Sequence, residues 1–181
     1  MEIKQHALQG VVEFTPRVFT DPRGNFFESF SARLMEGAGA AGEWVQDNQS
    51  CSARGVLRGL HFQRPPYAQA KLVRVAAGRA LDVVVDLRRS SPTYGQHLSV
   101  ELDAGRGNVL YVPVGFAHGF MALEDNTLFL YKCSDYYQPS AEGGLLWNDP
   151  TLNINWGLTT ANVSDKDLVL PTFAGFETPF E

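Results

Sequence analysis

Two histidines are the clearest candidates for acid–base chemistry, because each lies in a segment of glycines and aromatic residues. His61 belongs to Gly59-Leu60-His61-Phe62, and His118 belongs to Phe116-Ala117-His118-Gly119-Phe120. The unperturbed pKa of histidine is about 6.5, so an imidazole can accept or release a proton near neutral pH. An isolated histidine in a strand is, however, more often a surface residue on an edge, and that alternative stays open.

Hydrogen-bonding side chains are densest over residues 46–50, and a second polar group surrounds His61. Alternate residues of a strand share a face, so Gln46 and Asn48 are expected to point the same way. Arg58 and His61 are three residues apart and would lie on opposite faces of a regular strand. A β-bulge at Gly59 would bring them to one face, and glycine favours such a bulge.

Three further residues have both a chemical and a structural interpretation. Lys71 opens an apolar run and could be a solvated strand end, while Tyr131 lies in Phe129-Leu130-Tyr131-Lys132 and could be a core tyrosine. Asp167 follows Ser164 by three residues, which is the signature of a helix start. Asp167 could therefore be a capping acid rather than a partner for a catalytic group.

The sequence lacks the pattern of a metal-binding β-barrel of the cupin type. Such a site usually contains two histidines separated by one residue, whereas His61 is followed by Phe62 and Gln63. A set of three or four ligands is not apparent, so we expect no metal. A nucleophile elbow and a phosphate-binding glycine loop are also missing.

The elements that would position these residues are predicted to be strands. Short runs rich in Val, Leu, Phe and Tyr recur between turns such as Asp21-Pro22-Arg23-Gly24 and Ala77-Gly78-Arg79, which is typical of an all-β sandwich or barrel. Short helices are expected from Ser31 through Met35 and from Ser164. The predicted strands are Phe26–Phe30, Val56–Phe62, Lys71–Val75, Leu81–Leu87, Leu98–Leu102, Val109–Val112, Phe116–Leu123 and Leu128–Cys133.

Length and composition narrow the class of protein further. The 181 residues predict one domain over residues 1–181, and a net charge of −5 is the wrong sign for a nucleic-acid partner. Apolar runs are too short to span a membrane, and the first twenty residues lack a secretory signal. We therefore expect a cytoplasmic protein in which Cys51 and Cys133 are reduced thiols.

The order of these motifs along the chain resembles that of the sugar-nucleotide 3,5-epimerases. The resemblance covers nearly the whole chain. The matching segments are Phe19 through Gly24, Gln46-Asp47-Asn48, Gly55 through Gln63, Lys71 through Val75, Asp86-Leu87-Arg88, Ser91-Pro92-Thr93, Pro113 through Phe120, and Ser164 through Asp167.

This resemblance implies a cupin-like jelly-roll barrel with a few short peripheral helices, a homodimer, and no cofactor. It also implies inversion of dTDP-4-dehydro-6-deoxy-D-glucose at C3 and C5 to give dTDP-4-dehydro-L-rhamnose. His61 would be the base, paired with Asp167, Tyr131 would be the opposing acid, and Lys71 would face the ketone oxygen. Tyr137 would stack on the thymine, and the other implied substrate contacts are Arg23, Glu28, Gln46, Asn48, Arg58, His118, Glu142 and Lys166.

Three alternatives remain open from the sequence. The nearest is a relative that inverts only one centre, C3 or C5, of a dTDP-4-keto-6-deoxyhexose. A second is a jelly-roll module that binds a sugar without catalysis. The third is a metal-dependent cupin oxygenase, which the missing His-x-His element disfavours.

Overall fold

In the computed structural model, which describes residues 1–40, 42–157 and 160–181, two six-stranded β-sheets face each other. Two short α-helices, α1 (Ala32–Gly37) and α2 (Asp165–Leu168), and a 3-10 turn at Pro139–Ala141 lie outside the sheets. The strands in chain order are β1 (Glu2–Gln5), β2 (Val12–Thr15), β3 (Phe19–Asp21), β4 (Gly24–Phe26), β5 (Gln46–Ser52), β6 (Val56–Gln63), β7 (Lys71–Ala77), β8 (Arg79–Asp86), β9 (His97–Asp103), β10 (Val109–Val112), β11 (Phe116–Ala122), β12 (Thr127–Cys133), β13 (Glu142–Gly144) and β14 (Asn162–Val163).

The strand order in both sheets is that of a jelly roll. Sheet 1 runs β1-β2-β10-β7-β12-β5, and sheet 2 runs β13-β6-β11-β8-β9 with β14 beside β6. Neighbours in space are mostly distant in sequence, and nearly every pairing is antiparallel. Strands β3 and β4 form a separate hairpin. The predicted all-β, cupin-like jelly roll is therefore confirmed, as are the two short helices.

Most of the predicted strands are confirmed within a residue or two at their ends, but one is wrong. Residues 26–30 were expected to form a strand, whereas β4 ends at Phe26 and the next four residues are irregular. Phe26 is 72% exposed, while Phe30 packs on the outer face of sheet 1. Phe30 is apolar because it covers the outer core cluster of sheet 1. Apolar and polar residues do not alternate over residues 26–30 as they would in a sheet strand.

Apolar side chains fill three layers, and this is why several strands are apolar on both faces. Between the sheets lie Val73 and Phe129 of sheet 1 and Val84 of sheet 2. The outer face of sheet 2 is covered by the chain after β13, including Trp156, and α1 covers the outer face of sheet 1 through Met35. Cys51 is exposed, Cys133 is buried, and both are free thiols.

Strand alternation places polar residues between the sheets at one end. On β7, Val73 and Val75 pack in the inner layer while Leu72 packs outside, so Lys71 has inward parity. Phe129 gives Tyr131 inward parity on β12 in the same way. The interpretation of Lys71 as a solvated strand end is therefore wrong.

Strand β6 carries the bulge that the glycine predicted. Arg58 and His61 are three residues apart, yet they pair with Phe120 and His118, which are two residues apart on β11. The extra residue turns both Arg58 and His61 toward the interior. Gly59 has a φ of +136°, a backbone conformation that L side chains rarely adopt.

Gly59→Ala should destabilise the protein by at least about 2 kcal/mol, because the strained backbone and a clash act together. An added Cβ would lie 2.5 Å from Gly119 Cα and 3.0 Å from the His118 carbonyl oxygen. Chemical unfolding measures the loss. The control is Gly37→Ala, where a Cβ meets nothing within 4 Å. An equal, small effect at both positions would contradict the account of the bulge.

Candidate active site

A cavity of about 860 Å³ opens between the two sheets at this polar end. That volume lies within the range of sites that enclose small organic ligands. The sequence-predicted residues that line it come from both sheets, from α2 and, for Tyr137, from the irregular segment after β12. They are Gln46, Asn48, Arg58, His61, Lys71, His118, Tyr131, Tyr137, Glu142, Lys166 and Asp167.

A hydrogen-bonded histidine–aspartate pair lies on the sheet 2 side of the cavity. His61 Nε2 is 2.7 Å from Asp167 Oδ1, and the Asp167 carboxylate is almost fully buried. An ionised carboxylate only accepts, so Nε2 carries the proton and Nδ1 keeps the free lone pair. His61 is consequently oriented as a base, and its interpretation as an edge-strand surface residue is wrong.

Asp167 is held by α2, whose start is capped as the sequence predicted. Ser164 is the N-cap residue, and its Oγ accepts a hydrogen bond from the Asp167 backbone N–H at 3.3 Å. The Asp167 carboxylate is hydrogen-bonded to His61 and accepts from the Gly59 N–H on β6. The capping role therefore belongs to Ser164, and the carboxylate of Asp167 is free to orient the imidazole.

The environment of Asp167 keeps it ionised. Burial raises the pKa of its carboxyl group, but the His61 ring and the donors of Gly59 and Ser164 lower it more, so that its pKa lies below the usual value. A carboxylate that stays charged beside His61 stabilises the imidazolium that forms when the ring accepts a proton.

Tyr131 and Lys71 face His61 from the opposite sheet. Tyr131 lies on β12 and Lys71 on the adjacent β7, with Lys71 Nζ 5.9 Å from the centre of the Tyr131 ring. Burial raises the pKa of the Tyr131 phenol, so the group remains a proton donor at neutral pH. The cavity thus has an imidazole with a free lone pair on one wall and a protonated phenol on the other.

Lys71 lies where burial competes with nearby ionisable groups. Burial lowers the pKa of its ammonium, while Cys133, Asp82 and Glu142 oppose that effect. Lys71 lines the cavity, and a point charge that is removed from bulk water acts more strongly on a ligand than an exposed one does.

A second buried pair, which sequence reasoning missed in part, supports His118. His118 Nε2 is 2.8 Å from Oδ2 of Asp82, and Asp82 is completely buried. Burial lowers the pKa of His118 in spite of this carboxylate. Asp82 could have been found in the sequence, because it is a charged residue within the apolar run of β8 and points to the same face as the inner-layer residues Ala80 and Val84.

The cavity mouth carries a hydrogen-bonded chain of three predicted residues. The Tyr137 hydroxyl donates to Glu142 Oε2 at 2.9 Å, and Lys166 Nζ donates to the other oxygen of the same carboxylate. Burial raises the pKa of Glu142, but these two donors lower it further than burial raises it. Glu142 is therefore charged, and its hydrogen bond with Lys166 connects β13 of sheet 2 to α2.

Two predicted residues, Arg23 and Glu28, lie away from the cavity. Arg23 is in the β3–β4 turn, where it is highly exposed and bonded to Asp21, with 2.6 Å between Nη2 and Oδ2. Glu28 is exposed in the irregular segment that follows β4. Within one chain, neither residue helps to line this site.

Residues 1–40, 42–157 and 160–181 contain neither a metal-binding cluster nor a helix suited to a membrane. No group of three or more His, Cys, Asp and Glu side chains there could hold a metal ion. None of the helices in these ranges has the length and apolar character to cross a membrane.

A family model and a curated relative that match this chain carry the same description. A family model described as dTDP-4-dehydrorhamnose 3,5-epimerase matches residues 5–175. The dTDP-4-dehydrorhamnose 3,5-epimerase of Pseudomonas aeruginosa is 48% identical over 176 residues, which cover 96% of this chain and 97% of that protein.

Two solved structures are similar over almost their whole length. One is a dTDP-6-deoxy-D-glucose-3,5-epimerase from Legionella pneumophila in complex with dTDP-4-keto-L-rhamnose, with a TM-score of 0.94, 39% identity, and coverage of 99% of this chain and 98% of that one. The other is a 3′-monoepimerase from Streptomyces bikiniensis in complex with dTDP-quinovose, with a TM-score of 0.88, 34% identity, and coverage of 93% and 86%.

The position of Lys71 predicts an unusual titration. The pKa of Lys71 Nζ should lie below the usual lysine value of about 10.4, because burial disfavours the charged form. The titration can be followed by ¹⁵N-edited NMR, with the Lys71 signal assigned by its loss in Lys71→Arg. Asp82→Asn should lower the midpoint further, because it removes a nearby negative charge. A midpoint at or above the usual value would contradict this description of the cavity.

Proposed function

The chain belongs to the dTDP-4-dehydrorhamnose 3,5-epimerase family and is an isomerase, and we propose that this cavity inverts C3 and C5 of dTDP-4-dehydro-6-deoxy-D-glucose. The observation that carries the proposal is the placement of His61 and Tyr131 on opposite sheets of one cavity. We further propose that residues 1–181 act as a single catalytic domain. A cytoplasmic location stays a prediction from the sequence.

The chemistry requires groups on two faces of the sugar. C3 and C5 both flank the C4 ketone, so loss of a proton from either carbon gives an enolate with its charge on O4. Inversion follows when the proton returns from the opposite face. His61, oriented by Asp167, removes the proton, and Tyr131 delivers one from the other wall. General acid–base catalysis of this kind contributes roughly 10²–10⁴-fold to the rate.

The charge that develops on O4 also needs a partner. Lys71 lies beside Tyr131 and offers an ammonium with three donors. A positioned donor at a developing oxyanion typically contributes about 2.7–4 kcal/mol. The enolate is therefore stabilised by Lys71 while His61 and Tyr131 exchange protons with the carbons.

The remaining lining residues suit a nucleotide sugar. The diphosphate carries about two negative charges, and guanidinium groups match phosphate oxygens in geometry. Arg58 lines the cavity although it is exposed, and Lys166 lies at the mouth, so cations are concentrated locally although the chain as a whole is acidic. Tyr137 is 53% exposed at the mouth, where a thymine could stack on its ring. The other groups proposed to contact the sugar or nucleotide are Gln46, Asn48, His118 and Glu142.

A homodimer would account for the two residues that lie outside the cavity. The β3–β4 hairpin exposes the facing aromatic side chains of Phe19 and Phe26, at 52% and 72%, next to Arg23. Exposed aromatic residues on a projecting hairpin are typical of a surface that meets another protein. We propose that this hairpin, with Glu28, reaches the cavity of a second copy and that Arg23 contacts the diphosphate there.

Inversion at C3 alone is the main alternative, and the overall fold does not decide between the two. The backbone of this chain is similar both to the 3,5-epimerase structure and to the monoepimerase structure, with TM-scores of 0.94 and 0.88.

Product analysis by proton NMR should show both centres inverted, because C3 and C5 flank the same ketone and each can be presented between His61 and Tyr131. The substrate is dTDP-4-dehydro-6-deoxy-D-glucose, and the expected product is dTDP-4-dehydro-L-rhamnose. A product inverted only at C3 would overturn the double inversion and favour the monofunctional alternative. Recovery of unchanged substrate with no exchange of its C–H protons would instead favour a binding module.

Mixing two inactive variants should test the shared site. His61→Ala lacks the base in its own cavity, and Arg23→Ala lacks the arginine offered to its partner. In a random mixture, half of the sites in half of the dimers would be intact, so about a quarter of wild-type kcat/KM should return. A mixture no more active than the sum of its parts would contradict a site completed by the second copy.

A further inference from the structure

A segment at the cavity mouth, residues 134–138, is held by glutamine side chains rather than by a strand partner. It follows β12 and adopts no regular structure. Gln63, the last residue of β6, bonds to it twice. Gln63 Nε2 donates to the Tyr136 carbonyl oxygen at 3.2 Å, and Gln63 Oε1 accepts from the Gln138 N–H at 2.7 Å.

Two other glutamines complete the attachment. Gln46 Oε1 accepts from the Tyr137 N–H at 2.9 Å, and Gln69 Nε2 donates to the Asp135 carbonyl oxygen at 2.7 Å. Four consecutive residues of the segment therefore each have a backbone group bonded to a glutamine amide.

We call Gln46, Gln63 and Gln69 the glutamine clamp. The clamp spans both sheets, since Gln46 lies on β5 of sheet 1 and Gln63 on β6 of sheet 2. Gln63 is only 5% exposed, whereas Tyr136 and Tyr137 are 65% and 53% exposed. Burial of these two rings therefore contributes little to fixing the segment. Hydrogen bonds hold it in place instead: those to glutamine amides fix the backbone of residues 135–138, Ser134 exchanges two bonds with Ala70, and the Tyr137 hydroxyl donates to Glu142.

Glutamine is the side chain that this arrangement needs. Its carboxamide has a donor and an acceptor at the same end, so Gln63 can hold the carbonyl before Tyr137 and the N–H after it. A glutamate could only accept, and a methionine of similar length could do neither. A second donation from Gln63 Nε2, to the Tyr67 carbonyl oxygen at 2.7 Å, fixes the amide itself.

We propose that Gln63, with Gln46 and Gln69, is a positioning residue that fixes Tyr137 as a rigid platform for the nucleobase. This deepens the proposed function and depends on it for the identity of the ligand. Fixing the backbone on both sides of Tyr137 before binding removes part of the ordering cost that a mobile loop would incur. The clamp should therefore govern affinity for the nucleotide and not the proton transfers.

Gln63→Met tests this with two independent measurements. Hydrogen exchange of the ligand-free protein should show the Tyr137 and Gln138 amides exchanging about tenfold faster, because the clamp is lost. Calorimetry with dTDP alone should show binding weakened about tenfold, the equivalent of one lost hydrogen bond. The kcat should stay within about twofold, because His61, Lys71 and Tyr131 lie on strands outside the segment.

Controls separate positioning from a general loss of structure. Gln5→Met removes the same kind of bond, from Gln5 Nε2 to the Ala38 carbonyl oxygen, away from the cavity, and should leave dTDP affinity unchanged. Gln69→Met removes only one attachment and should give a smaller change of the same kind if Gln63→Met does not fold. In a Tyr137→Ala background, Gln63→Met should weaken dTDP binding no further, because the ring on which it acts is gone.

Unchanged amide exchange in Gln63→Met would overturn the clamp, whatever the ligand. Faster exchange with unchanged dTDP affinity, or equal losses with and without the Tyr137 ring, would overturn the platform. A wild-type protein that does not bind dTDP would instead contradict the proposed function and with it the platform, while the exchange measurement would still decide the clamp.

Discussion

The alternation of side chains along a β-strand is the constraint on which the site depends. Each strand of the jelly roll sends every second residue between the sheets, so a polar residue at the right parity enters the interior. Lys71 and Tyr131 reach the cavity by this rule alone, in step with Val73 and Phe129. His61 does so only because the bulge at Gly59 shifts the parity of β6 by one residue. Gly59 therefore determines that His61 enters the cavity on the wall opposite Tyr131.

The interior tolerates these ionisable groups because several of them are paired. Asp167 with His61 and Asp82 with His118 each join a buried carboxylate to an imidazole within 2.8 Å. Burying a charge without such a partner would be costly, and the pairs reduce that cost while fixing the ring orientations. Lys71 has no hydrogen-bonded carboxylate of this kind in the described part of the chain, and burial lowers the pKa of its ammonium.

The sequence predicted most of the fold and the composition of the site, and the differences have physical causes. Apolar character and glycine turns predict most of the strands, whereas residues 26–30 have the apolar content of a strand without its alternation, so their composition alone mispredicts them. The bulge at Gly59 was predictable because glycine alone suits its backbone. Asp82 was overlooked inside an apolar strand, although its parity pointed inward. The clamp around residues 134–138 is not predictable, because each of its glutamines bonds a residue that lies 66 to 91 positions further along the chain.

The most direct test of opposed proton transfer is deuterium incorporation from D₂O by wild-type protein, His61→Ala and Tyr131→Phe. Wild-type protein should place deuterium at C3 and C5 together with inversion. His61→Ala should incorporate almost none, because removal of the proton comes first. Tyr131→Phe should exchange faster than it inverts, because the base remains while the donor on the opposite wall is lost. Undiminished exchange in His61→Ala, or inversion that keeps pace with exchange in Tyr131→Phe, would contradict the account.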